Sequence, residues 1–198
     1  MDEPTEFSFN RRRFLIAATT AVAGAGFVMT AYPFVMSMMP SQRALAEGGP
    51  IDADIRKIEP GMLVTFTWRK QPVWVLHRTR PMLDRLGKHD QLLLDPLSQQ
   101  PQQPAYCQNA TRSIKPEYLV VIGICTHLGC VPTYRREVGA PDLGANWPGG
   151  FFCPCHGSKY DLAGRVFKDV PAPLNLKIPQ HTYLSETLIL IGADKKSS

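Results

Sequence analysis

The chain is poor in cysteine and has no long run of charge. Five of its 198 residues are Cys, 20% are charged, and the net charge is +5. A balance so mild and dispersed, with no Lys/Arg run interleaved with aromatics, argues against a nucleic-acid surface. There is no internal repeat and no Gly-rich phosphate loop, since Gly24-Ala25-Gly26 lies inside an apolar run. The 44% apolar content excludes a disordered or collagen-like chain. The length suits one domain with appendages.

The sharpest absence is local. Residues 14–42 contain no charge over 29 positions, and 19 of them are Ala, Val, Ile, Leu, Met, Phe or Tyr. Just before this run stands Asn10-Arg11-Arg12-Arg13-Phe14-Leu15, which resembles a twin-arginine export signal. Three arginines before an apolar helix also suit a plain positive-inside anchor. Both readings leave the N-terminus cytoplasmic and place the folded part in the periplasm of a bacterial inner membrane. As a helix, residues 14–39 would reach about 39 Å, enough to cross a hydrocarbon core of about 30 Å. That exceeds a signal-peptide apolar region of ~7–15 residues, so an uncleaved single-pass anchor is expected, although Ala44-Leu45-Ala46 offers a small-x-small cleavage sequence. Pro33 is expected to kink the helix. The organisation read from the chain is a cytoplasmic twin-arginine segment at 1–13, a transmembrane anchor at 14–40, a flexible tether at 41–58 and a folded domain at 59–198.

The folded part reads as mainly β. Residues 62–68 alternate and 73–77 follow a short break, which predicts a hairpin. Residues 118–124 and 187–191 are apolar runs of buried-strand type. Leu83, Leu86, Leu93 and Leu94 have helical spacing, interrupted by Gly87, and predict one short helix within 81–94. Fifteen of the 18 prolines follow the anchor, so turns are frequent and 95–104 should be irregular. The fold class is an antiparallel all-β domain behind one N-terminal transmembrane helix.

All five cysteines lie between positions 107 and 155. Four fall in two matched segments, Cys125-Thr126-His127-Leu128-Gly129-Cys130 and Cys153-Pro154-Cys155-His156-Gly157-Ser158. Thiolate and imidazole suit zinc, copper or an iron–sulfur cluster. Cys-x-His is close spacing for one tetrahedral zinc, whose paired ligands usually have two to four residues between them. Two adjacent metal ions fit better, although a zinc-stabilised periplasmic binding module stays open on these residues alone. Cys107 is expected to be a free, buried thiol. His77, His89 and His181 lack ligand spacing and are expected at the surface or in turns.

The two segments resemble the cluster-binding loops of Rieske proteins, and the chain as a whole resembles the Rieske iron-sulfur subunits of proteobacterial ubiquinol-cytochrome c reductases. That resemblance implies a Rieske [2Fe–2S] cluster, one per subunit, with two Cys on one iron and two His on the other. Carried over by position, Cys125 and Cys153 would bind the inner iron, and His127 and His156 the outer. Cys130 and Cys155 would form the disulfide bracing the loops, Ser158 and Tyr160 would raise the potential by hydrogen bonds to sulfur, and Leu128, Gly129, Pro171 and Pro173 would cover the cluster. Trp147-Pro148-Gly149-Gly150-Phe151-Phe152 is similar to proteobacterial members, while the long segment 131–150 has no assigned path. The function implied is electron transport by a subunit of the cytochrome bc1 complex. It takes one electron from quinol at the oxidation site, passes it to cytochrome c1 and contributes to proton translocation. His156 would contact quinol, with His127 similarly exposed. The implied partners are cytochrome b, cytochrome c1 and the quinol substrate, within a dimeric membrane complex, with no nucleic acid. The nearest rivals are the small Rieske subunit of an arsenite oxidase and a cytochrome b6f subunit.

Overall fold

The computed structural model describes residues 6–41 and 48–194. Two compact units divide it, Met1–Ala46 and Glu47–Ser198. In the first, helix α1 spans Glu6–Ser37 and continues through Pro33. Its segment Asn10–Ser37 is long and apolar enough to cross a membrane. The hydroxyls within it find acceptors on the helix itself: Thr19 donates to the Leu15 carbonyl, Thr20 to Ile16 and Thr30 to Gly26, at 2.8–2.9 Å. Such internal satisfaction is what a lipid environment demands of a polar side chain. The Ala44-Leu45-Ala46 cleavage sequence lies outside the described residues.

The second unit is built from three small antiparallel sheets. β1 (Ile51–Asp54) pairs with β9 (Leu188–Ile191), which pairs with β8 (His181–Ser185). β2 (Leu63–Trp68), β3 (Gln71–His77) and β4 (Tyr118–Ile122) form the second sheet in that order, and β5 (Thr133–Arg135), β6 (Gly150–Phe152) and β7 (Lys159–Tyr160) the third. Strand β1 falls within the segment expected as tether. Ala53, Ile55 and Ile58 are buried with Ile189 and Ile191, so residues 51–58 belong to the folded head. Their few apolar side chains are enough because β1 needs only one buried face.

The middle sheet explains why its strands read as continuous apolar runs. Trp74 and Leu76 of β3 align with Val121 and Leu119 of β4 and enter one core, with Phe151, Tyr160, Leu162 and Cys125. Val73 and Val75 align with Ile122 and Val120 and enter another, against β1 and β9. A sheet covered on both faces has no polar alternation to display. The first core joins the middle sheet to the third, where the Trp74 and Phe151 rings stack at 5.1 Å.

The single helix expected in 81–94 is two shorter pieces. Helix α2 covers only Arg80–Leu83, and a 3-10 segment, Leu86–Leu92, is interrupted at His89. Segment 131–150 crosses out and back as β5 and β6, and its connection closes on a small core of Ala140, Leu143 and Trp147 against Phe152 and Phe167.

Candidate metal centre

The two Cys/His segments fold as the same loop used twice. In the first, the Cys125 N–H donates to the Cys130 carbonyl at 2.7 Å and the Gly129 N–H returns to the Cys125 carbonyl at 3.1 Å. In the second, Cys153 N–H donates to Ser158 at 2.8 Å and Gly157 returns to Cys153 at 2.9 Å. The glycine at the fifth position takes φ of +83° and +81°, a left-handed turn that a side chain would disfavour. The histidine stands third in one loop and fourth in the other, and the second cysteine sixth in one and third in the other.

A disulfide joins Cys130 and Cys155, linking the loops directly. Cys125, Cys153 and Cys107 are free and buried. Three sulfurs, those of Cys130, Cys153 and Cys155, lie within 4.8 Å of one another. Two of them are already bonded to each other, so that trio is not a ligand set. The open donors are the Cys125 and Cys153 thiols, within hydrogen-bonding reach of each other, and the His127 and His156 rings, whose centroids are 4.8 Å apart. Burial pushes the Cys125 thiol up, but hydrogen bonds led by Tyr160 bring it below the ordinary thiol value; burial leaves Cys153 raised. Two buried thiols beneath two more accessible imidazoles match the donors of a [2Fe–2S] group with mixed Cys and His ligands.

Two hydroxyls line the sulfur side. Tyr160, fully buried, places its oxygen 3.2 Å from Cys125 Sγ and accepts the Thr126 N–H at 3.1 Å. Ser158 Oγ, also buried, accepts the Ala172 N–H at 3.1 Å. Thr126 Oγ1 donates to the Leu174 carbonyl at 2.7 Å. The Pro-rich segment 170–174 is therefore tied to both loops. Leu128, Gly129, Pro171 and Pro173 are exposed, Leu128 at 71%.

Behind the site lies a polar core that sequence reading missed. Arg78, Arg112 and Arg165 are each at most 2% exposed. Arg112 donates to the carbonyls of Ala163, Gly164 and Leu176, and Arg78 to those of Thr111, Pro116 and Leu162. Arg165 donates to Asp161 Oδ2 at 2.8 Å, and Asp161 Oδ1 accepts the Ala163 and Arg165 amides. The sequence signal was the opposite charges of Asp161 and Arg165, four apart and directly after Tyr160. His89 and His181 correct their expected surface placement: both are buried, at 8% and 1% exposure. His89 stacks on Phe167, and His181 is held by the Pro179 carbonyl and, through its amide, by the Tyr106 hydroxyl.

Residues 102–180 match the Rieske [2Fe-2S] domain, and residues 1–41 match the family described as "Ubiquitinol-cytochrome C reductase Fe-S subunit TAT signal". The "Ubiquinol-cytochrome c reductase iron-sulfur subunit" of Allochromatium vinosum is 61% identical over 95% of this chain and 91% of its own length. The chain belongs to this family. Its counterpart in Blastochloris viridis is 41% identical over 92% of this chain and 93% of its own length. A mitochondrial relative, "Cytochrome b-c1 complex subunit Rieske-4" of Nicotiana tabacum, is 43% identical over 80% of this chain and 59% of its own. Membership in the iron-sulfur subunit family makes the cofactor a Rieske [2Fe–2S] cluster and the N-terminal apolar helix that of a membrane-anchored subunit.

Proposed function

We propose that this chain is the electron-carrying subunit of a membrane ubiquinol–cytochrome c reductase, taking single electrons from quinol and delivering them to cytochrome c1. The observation that carries the reading is the pairing of two disulfide-linked loops that bring together two buried thiols and two imidazoles. When bound, the cluster supplies one-electron redox chemistry at raised potential, because neutral imidazoles replace two anionic thiolates.

The residues have separate tasks. Cys125 and Cys153 with their thiols, and His127 and His156 with their rings, would hold the cluster. His156, exposed at the loop tip, offers its ring to the quinol hydroxyl and accepts the proton that leaves it; His127 presents the second ring. Leu128, Gly129, Pro171 and Pro173 form the apolar rim that keeps water from the ligands. Ser158 and Tyr160, each already accepting a backbone N–H, have hydroxyl protons to give to sulfur.

The partners in this reading are cytochrome b and cytochrome c1 in a dimeric complex. The N-terminus stays cytoplasmic, the helix crosses the inner membrane, and the head works in the periplasm. Residues 41–50 serve as the tether, shorter than 41–58 because β1 begins at Ile51. A low-temperature electron paramagnetic resonance spectrum of dithionite-reduced membranes, together with haem analysis of the purified complex, tests the reading. A Rieske signal with co-purifying b and c haems is expected. A redox-silent protein, or a molybdenum partner without haem b, overturns it.

A further inference from the structure

The β2–β3 hairpin turns through Arg69 and Lys70 alone, both at positive φ, 49° and 61°. Asn-Gly is the usual pair in such a turn, and residues with a larger side chain seldom adopt this backbone. The strained tip reaches into the entry of the head. Trp68 Nε1–H donates to the Gly49 carbonyl at 2.9 Å, and Arg69 Nε–H to the Gly48 carbonyl at 3.0 Å. The Arg69 guanidinium lies 4.5 Å above the Trp68 ring. Gly192, directly after β9, leaves room for the indole, since a Cβ there would come within 2.6 Å of Trp68 Nε1. The middle sheet thus grips the two residues that lead, through Pro50, into the first strand of the neighbouring sheet.

We propose that Trp68 and Arg69 are positioning residues, a clamp that fixes where the tether ends and the head begins. The inference rests on the tethered-carrier reading above. With the clamp closed, ten residues separate the end of α1 at Ser37 from Gly48; with it open, thirteen separate Ser37 from Ile51. Three residues add up to about 10 Å of reach. A linker too short for its span abolishes encounter, whereas a slightly long one costs little. The clamp therefore has its effect when the tether is near its minimum length.

The test combines tether length with clamp strength in membranes holding the complete complex. Deleting residues 44–46 is expected to slow quinol-driven reduction of haem c by about tenfold, as the span is no longer met. Adding Trp68→Phe and Arg69→Gln is expected to bring the rate back to within about twofold of the parent, because opening the clamp returns three residues. Without the deletion, the same pair of substitutions should speed amide exchange in peptides covering residues 48–54 by up to about tenfold, the worth of one hydrogen bond. The reduced-cluster spectrum and midpoint potential should not move. If Trp68→Phe prevents assembly, Arg69→Gln alone, at an exposed side chain, must still give partial recovery. A deletion without effect, no recovery in a complex with an intact cluster spectrum, or unchanged exchange overturns the clamp. Parent membranes in which quinol fails to reduce haem c overturn the carrier reading instead, and the exchange measurement still judges the clamp separately.

Discussion

The Tyr160 hydroxyl lies 3.2 Å from Cys125 Sγ while its oxygen accepts the Thr126 amide at 3.1 Å. With an acceptor site occupied by that N–H, its own proton is available to the sulfur or to Thr126 Oγ1, which stands 3.2 Å away and itself donates to Leu174. Donation to a ligand sulfur favours the reduced, more negative cluster. Tyr160→Phe is expected to lower the midpoint potential by tens of mV, about 59 mV for each tenfold in the one-electron equilibrium, without loss of cluster. Redox titration followed by electron paramagnetic resonance checks this. An unchanged midpoint would mean the hydroxyl gives its proton elsewhere.

Ser158→Ala should do more than remove a donor. Ser158 Oγ is the acceptor for the Ala172 N–H inside a buried contact, and an orphaned amide there costs about 1–3 kcal/mol. A lower midpoint together with earlier thermal loss of the cluster signal is expected, whereas Tyr160→Phe should chiefly shift the midpoint. A Ser158→Ala protein with parental potential and stability would remove Ser158 from the site.

The Cys130–Cys155 bond spans 25 positions and closes the two loops on each other. Closing a loop of this size stabilises by roughly 3 kcal/mol in the chain-entropy description. Cys130→Ser should therefore reduce cluster content and its retention on warming, measured as iron per head and as signal amplitude. Parental content and potential would count against a bracing role.

Much of the site was legible because its chemistry needs particular residue types at short spacing. Cys125, His127, Cys153 and His156 stand within two hexapeptides, and the structure brings those hexapeptides together. The hairpin and β4 were legible from β-branched and apolar runs. What escaped was long-range. Strand β1 has few large apolar residues and exists because β9 supplies its partner, while β5–β7 are two or three residues long and carry no periodicity. Nothing local announces that distant carbonyls will surround Arg78, Arg112 and Arg165. His89 and His181 were misplaced for the same reason.

Asp161 supplies a pH and mutation test of that polar core. Burial pushes its carboxyl up, yet His89, 3.5 Å away, and Arg165 hold it below the ordinary value of 3.8. A depressed acid stabilises the fold fully above its unfolded value and loses that contribution as pH falls through the folded one. Asp161→Asn leaves the Arg165 side chain, 1% exposed, with the Pro96 and Leu86 carbonyls and, as its charged partner, the half-exposed Asp90. A loss of about 3–5 kcal/mol in unfolding free energy at neutral pH is expected by denaturant titration. A change below 1 kcal/mol would show the pair to be dispensable.

His181 gives a second pH test, bounded above by the ordinary imidazole value of 6.5. Burial lowers its value below the ordinary 6.5, so the folded head prefers the neutral ring. Its contribution is complete above 6.5 and declines as pH drops from there toward the lower folded value. Thermal stability should fall as pH drops below about 6.5, and His181→Gln should flatten that slope. Equal slopes in both proteins would exclude His181 as the source.

Cys107 is fully buried, and burial pushes its thiol up to about 11. Cys125 and Cys153 are buried as well, and the other two cysteines are bonded together. At neutral pH the folded head thus offers alkylating reagents no accessible thiolate. A single cysteine introduced at an exposed position such as Val138, 58% exposed, would be the sole target for a maleimide spin label. Distances from the head to a haem can then be followed during turnover with every native cysteine left in place.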